Sequence, residues 1–112
     1  MIIRHSKEDS NTQEYGGSFR RIFPWPQVET PDWGGAWMVI APQSSSTPHD
    51  HDEEETFFVL SGNGEMTVDD ETRVVGPGDM IYLPRFSRHT LKNIATNEDL
   101  KILCIWWGAP KD

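Results

Sequence analysis

Glycine and proline interrupt this chain too often for a long helix to form. Nine glycines and eight prolines fall among 112 residues, and they separate short apolar runs. No window of about eleven residues carries apolar side chains at three-to-four spacing without a Gly or Pro inside it. Short runs between turn residues read as strands. Ala36 to Ile40 is closed by Pro42 and Ser44-Ser45-Ser46, and Thr56 to Leu60 ends at Ser61-Gly62-Asn63-Gly64. Glu65 to Val68 turns through Asp69-Asp70-Glu71 into Thr72 to Val75, a hairpin. Gly76-Pro77-Gly78-Asp79 is a tight turn before Met80 to Leu83, and His89 to Asn93 and Leu100 to Trp107 complete the set. Such a series predicts an all-β sandwich or small barrel. Ser18 to Phe23 alternates imperfectly, and Pro24 to Asp32 is irregular. The prolines there could also present an extended recognition ligand, but the tryptophans between them favour packing on the domain. Residues 1–15 are expected to form a flexible arm before a single domain over 16–112.

Composition excludes several function classes. Ten basic against eighteen acidic residues leave a net charge of −8. That is the wrong sign for tracking phosphates or anionic membranes, so neither nucleic acid nor a membrane is an expected partner. Gly62-Asn63-Gly64 lacks the following helix of a phosphate cradle and reads as a turn. One cysteine, Cys104, rules out an internal disulfide and a thiolate zinc site. No apolar stretch approaches the ~20 residues that span a bilayer. Met1 to Asp9 turns polar at once, which predicts a cytoplasmic chain without a leader. Trp106 and Trp107 should point to opposite faces of one strand, one into the core and the other over an edge.

The chemistry-bearing residues gather around the histidines. His49, His51 and Glu55 are all odd-numbered and share one face of an extended strand. His89 begins another strand, and together the four make a compact donor set of imidazole and carboxylate. Such a set suits Zn, Fe, Mn, Ni or Cu, and no thiolate selects among them. Two histidines in an acidic loop are more often simply solvated. The run Asp50, Asp52, Glu53, Glu54, Glu55 lacks the turn glycine and spaced acceptors of a Ca²⁺ loop. His5 belongs to no cluster and reads as an exposed tail residue.

These spacings resemble those of the cupins. Pro48 to Gly62 looks like the first cupin motif, with His49, His51, Glu55 and Gly62 in place. Gly78, Pro84, His89 and Asn93 look like the second. Two positions depart from the pattern: Phe86 and Gln43 stand where the family has glycine. The likeness runs from Trp33 to Trp107. It implies a jelly-roll barrel over about 33–107, a double-stranded β-helix, with His49, His51, Glu55 and His89 on one divalent transition metal. Alternation from the ligands points Phe57, Val59, Leu91 and Asn93 inward, and the resemblance places Tyr82 on the pocket wall. Tyr82 is then the expected catalytic hydrogen-bond or proton donor, Phe86 narrows the mouth, and Cys104 lies either in the core or on the wall.

The expected function is that of a metalloenzyme acting on a small polar molecule: oxygenase, isomerase or lyase. The alternative is a binding or sensory module with the same pocket. A narrower likeness, through Trp33-Gly34-Gly35-Ala36-Trp37, Gly76-Pro77-Gly78-Asp79 and Trp106-Trp107, is to the cupin units of hydrazine synthetases. Those units bind zinc and rearrange an ester made by a methionyl-tRNA-synthetase-like partner, which implies N–N bond formation and such a partner here. A homodimer is also expected. Phe19 to Trp33 carries more aromatic surface than one small barrel covers, and small cupins commonly pair.

Overall fold

A computed structural model describes residues 1–111. The elements in chain order are β1 (Thr12–Glu14), β2 (Gly17–Arg21), β3 (Gly34–Ile40), β4 (Glu54–Ser61), β5 (Gly64–Val68), β6 (Glu71–Val75), β7 (Met80–Leu83), β8 (His89–Asn93) and β9 (Leu100–Trp107). All strand pairs are antiparallel. One sheet has the order β1-β2-β3-β9-β4-β7 and the other β6-β5-β8. The two form the jelly-roll barrel that the resemblance implies, in keeping with the all-β sandwich or small barrel expected from the strand pattern. No helix among the described residues is long and apolar enough to cross a membrane.

The larger sheet turns its odd positions on β4 and its even positions on β9 into the core. Phe57 and Val59 are buried opposite Cys104 and Ile102, their register partners. From the smaller sheet Met66 and Leu91 meet them. Fully burying one such side chain contributes about 1.5–3 kcal/mol, so this layer holds the sheets together. The β5–β6 hairpin closes through Asp69, whose φ of 53° is the left-handed conformation such tight turns require.

Part of the expected arm, residues 1–15, is regular structure. Residues 12–14 form β1 on the edge of the larger sheet. Arg4 reaches from the arm to the carbonyls of Arg21 and Ile22, and Arg4 and Arg20 share the Asp9 carboxylate. Alternation gave no sign of this, because a three-residue polar strand has no apolar face to show.

The chain from Ser44 to His49 lies outside any named strand but is stitched along β8. Ser46 donates its backbone N–H to the Leu91 carbonyl, and the Ser46 hydroxyl accepts from the Leu91 N–H. His49 and His89 exchange both backbone hydrogen bonds, at 3.3 and 3.0 Å. Asn93 secures the far end of β8: its amide donates to the Ile40 and Glu98 carbonyls, and its oxygen accepts from the Ala95 N–H.

Both departures from the cupin glycine pattern sit in left-handed backbone, Gln43 at φ 62° and Phe86 at φ 65°. Glycine would adopt these angles without strain. Gln43 offsets the strain with two side-chain bonds, to the Ile94 and Ala95 carbonyls.

Candidate metal centre

The bridge between His49 and His89 sets two imidazoles side by side, with ring centroids 4.5 Å apart. His51 joins them at 5.6 and 5.2 Å. One ring nitrogen from each of the three lies within 4.8 Å of the others, an arrangement that could hold a metal ion. Glu55, buried at the start of β4, adds a carboxylate oxygen 3.0 Å from His51 Nε2 and 3.4 Å from His89 Nε2. Two ligands on one ion at about 2.1 Å lie about 3.0 Å apart at a right angle and about 3.4 Å apart at the tetrahedral angle.

Backbone carbonyls decide which nitrogens are free. His49 Nδ1 is 2.7 Å from the Thr47 carbonyl, and His89 Nδ1 is 3.0 Å from the Ser87 carbonyl. A carbonyl only accepts, so each Nδ1 carries the proton and each Nε2 keeps its lone pair. This is how metal-binding histidines are commonly oriented. His89 Nε2 is buried with no hydrogen-bond partner, and so is His51 Nδ1. A buried, unsatisfied nitrogen costs on the order of 1–3 kcal/mol, and a cation at the cluster would satisfy that of His89. Burial first, and then the neighbouring His89 and His51, hold His49 below its ordinary pKa, which favours the neutral ligating form.

Above the histidines lies a cavity of about 90 Å³. At the ~30 Å³ that one water takes in the liquid, this is room for about three waters, so only a small molecule fits. Phe19, Met38, Phe57 and Trp106 give it apolar walls, and Cys104 forms part of its floor. Burial pushes the Cys104 thiol well above its usual pKa, so it is an inert wall group. Gly34 makes room for Trp106: a Cβ there would lie 2.2 Å from the indole Nε1.

Several expected pocket residues lie elsewhere. Tyr82 pairs with Thr56 in register, on the outward face of β4 and β7, and is 53% exposed. Its hydroxyl donates to Glu54 at 2.6 Å, which raises the phenol's pKa, and its ring neighbours the outward Trp107. It does not line the cavity, because Leu83 and Ile81 take the inward positions opposite Glu55 and Phe57. Phe86 is 62% exposed, donates its backbone N–H to the His51 carbonyl, and is not among the residues lining the cavity. Val59 and Leu91 do point inward but lie in the core layer, not on the cavity wall. Phe57 and Cys104 line it.

The residues that sequence reasoning missed come from the first hairpin. Tyr15, at φ 54° in the β1–β2 turn, stacks on His49 with centroids 4.9 Å apart. Gly16 follows at φ 86°, and a Cβ on it would meet the Ser45 carbonyl at 2.5 Å. Arg21 lines the same mouth, as does Glu53. Glu14 first, with Tyr15 among the lesser causes, raises the Arg21 pKa further above its already high value. The Tyr15-Gly16-Gly17 triplet was the available signal, since an aromatic before two glycines marks a tight turn with a side chain to place.

Comparison with known proteins places the fold. The family described as "Cupin domain" matches residues 36–106. The plu4264 protein of Photorhabdus luminescens superposes with a TM-score of 0.88 at 37% identity, covering 97% of this chain and 89% of that one. A cupin 2 conserved barrel domain protein of Salinispora arenicola gives 0.86 at 34% identity, with 97% and 90% covered. An uncharacterized protein of Methanocaldococcus jannaschii is 45% identical over 68 residues, which are 59% of this chain. The chain spans about half of that relative's length, 54%.

Proposed function

The chain belongs to the cupin domain family, and on that footing we propose a mononuclear metal-dependent enzyme acting on a small polar organic molecule. His49, His51, His89 and Glu55 hold the ion. The observation that carries this reading is the buried, partnerless Nε2 of His89, its lone pair fixed toward the cluster by the Ser87 carbonyl. A bound divalent ion would polarise a substrate oxygen and lower the pKa of a bound water.

The protein's own residues do the rest. The Thr47 and Ser87 carbonyls keep two imidazoles in the ligating tautomer. Phe19, Phe57, Met38 and Trp106 exclude water, which strengthens every charge interaction in the cavity. Tyr15, stacked on His49 and lining the cavity, replaces Tyr82 as the phenol available to the substrate. The chemistry is oxygenation, isomerisation or lyase cleavage. N–N bond formation by ester rearrangement, with a methionyl-tRNA-synthetase-like partner supplying the ester, is the zinc-dependent version of this reading.

The test begins with elemental analysis of protein made without added metal. We expect about one transition-metal ion per chain, and a sharp loss in His89→Ala with the β fold retained by circular dichroism. Unchanged stoichiometry in that variant removes the assignment. Oxygen uptake and N-hydroxy-amine ester rearrangement are then screened with the loaded protein. Zinc would favour rearrangement or lyase chemistry, since it has no redox states. Tight binding of a small ligand with no turnover in any screen replaces the enzyme reading with that of a binding module.

A further inference from the structure

The proposed function leaves open what kind of small molecule the cavity takes, and the cavity's charges bear on this. Alternation along β2 buries Gly17 and Phe19 and puts Arg21 on the same inward face, with Ala36 as its register partner. Ala36 is small and fully buried, so the long Arg21 side chain passes over it to the cavity mouth. Among the described cavity-lining residues Arg21 is the one permanent cation, in a chain whose net charge is −8.

Its guanidinium is held but not used up. Glu14 accepts from Nη1, and the Phe19 ring lies 4.8 Å from the guanidinium carbon. Glu14 is its one acceptor at full hydrogen-bond distance among the described residues, and the Tyr15 hydroxyl adds a weaker contact. The Arg21 side chain is 40% exposed and that of Glu14 30%, so their ion pair is solvated and weak. A fixed planar fork with free donors at a partly dry mouth suits a carboxylate. Glu53 and Glu55 also line the cavity and disfavour a second anionic group on the ligand. Phe19, Met38, Phe57 and Trp106 supply the apolar part of the lining.

We propose that Arg21 is the specificity-determining residue of this pocket and selects a small monocarboxylic acid. The guanidinium takes the carboxylate, the apolar walls take a short carbon chain, and the far end of the ligand faces the histidine cluster. The inference rests on the proposed metal-centre reading for the far end only, since the carboxylate contact is made by Arg21 itself.

The test is isothermal titration of zinc-loaded protein with straight-chain monocarboxylates from acetate to pentanoate, and with the matching primary amides. Wild type, Arg21→Ala and Arg21→Lys are compared at one ionic strength, with zinc content and circular dichroism measured on each. At least one carboxylate should bind wild type about tenfold or more tightly than its amide and than it binds Arg21→Ala, the size of a charge-assisted hydrogen bond. Arg21→Lys should recover part of the loss, and zinc content should be the same in all three. Equal affinity in wild type and Arg21→Ala would mean that the carboxylate sits on the metal, and overturns the proposal. So does an amide that binds as well as its acid, or a series in which no acid binds. Loss of zinc from wild type strikes the metal-centre reading alone, because the acid-against-amide comparison can be repeated on metal-free protein.

Discussion

Asn93→Asp changes one atom's chemistry in a fully buried side chain and leaves its shape alone. The Asn93 amide nitrogen donates to the Ile40 carbonyl at 2.9 Å and to the Glu98 carbonyl at 2.7 Å, while its oxygen accepts from Ala95 at 3.0 Å. A carboxyl keeps the Ala95 bond but faces two carbonyls with at most one proton. Each unsatisfied buried acceptor costs about 1–3 kcal/mol. With the Glu98 contact only partly buried, the loss is about 3 kcal/mol, or a Tm roughly 12 °C or more below wild type. The loss must also depend on pH. Burial against two carbonyls raises the introduced carboxyl's pKa in the fold above the unfolded value of about 3.9. The unfolded chain then releases its proton first, so stability falls as pH rises above that value, by up to about 1.4 kcal/mol per unit, until the folded carboxyl ionises. Thermal melts of both proteins at matched pH, from about 5 to 8, read the gap. A gap of a few degrees, or one that stays constant with pH, would refute the clamp role of Asn93.

Three further outcomes follow from the site and the surface. Tyr82→Phe should leave metal content and ligand affinity unchanged, because the hydroxyl meets Glu54 outside the barrel; a loss of either would return Tyr82 to the pocket. Metal occupancy, followed by elemental analysis after dialysis, should fall as pH drops through the histidine range near ~6.5. The depressed pKa of His49 delays its protonation to lower pH, and occupancy flat down to about pH 4 would count against histidine ligation. The chain should pair with a second copy through the face carrying the exposed Trp33 and Trp37, and a monomer by light scattering at high micromolar concentration would refute that.

How much of this was legible in the sequence varies from residue to residue, for physical reasons. Seven strands were visible because turn residues bracket them and β5 alternates cleanly. His49, His51 and Glu55 were visible from their short odd-numbered spacing, and the likeness to the two cupin motifs tied the distant His89 to them. The resemblance put Tyr82 on the wall, and Met80-Ile81-Tyr82-Leu83, apolar throughout, offers no parity within the strand to correct it. Only its pairing with β4, Leu83 opposite Glu55, fixes which face it shows. Val59 and Leu91 illustrate a second limit: alternation tells which way a side chain points and not how deep along the barrel it lies. Tyr15-Gly16-Gly17 marks the turn, but no local pattern records where that short polar hairpin docks, so the contacts of Tyr15 and Arg21 with the cavity were missed.

The chain's division of labour bears on how such proteins diversify. The shared family segment, 36–106, contains every proposed ligand, while Tyr15, Phe19 and Arg21 come from outside it. The proposed ion ligands and the proposed carboxylate-binding arginine thus lie on separate stretches of polypeptide, although Met38, Phe57 and Trp106 of the shared segment also wall the cavity. An insertion, loss or exchange confined to one amino-terminal hairpin can redirect the barrel to a new compound while its ion-binding chemistry is inherited intact. Kinship recognised through the shared segment therefore says little about which molecule a relative meets, because the hairpin that helps to line the cavity lies outside it.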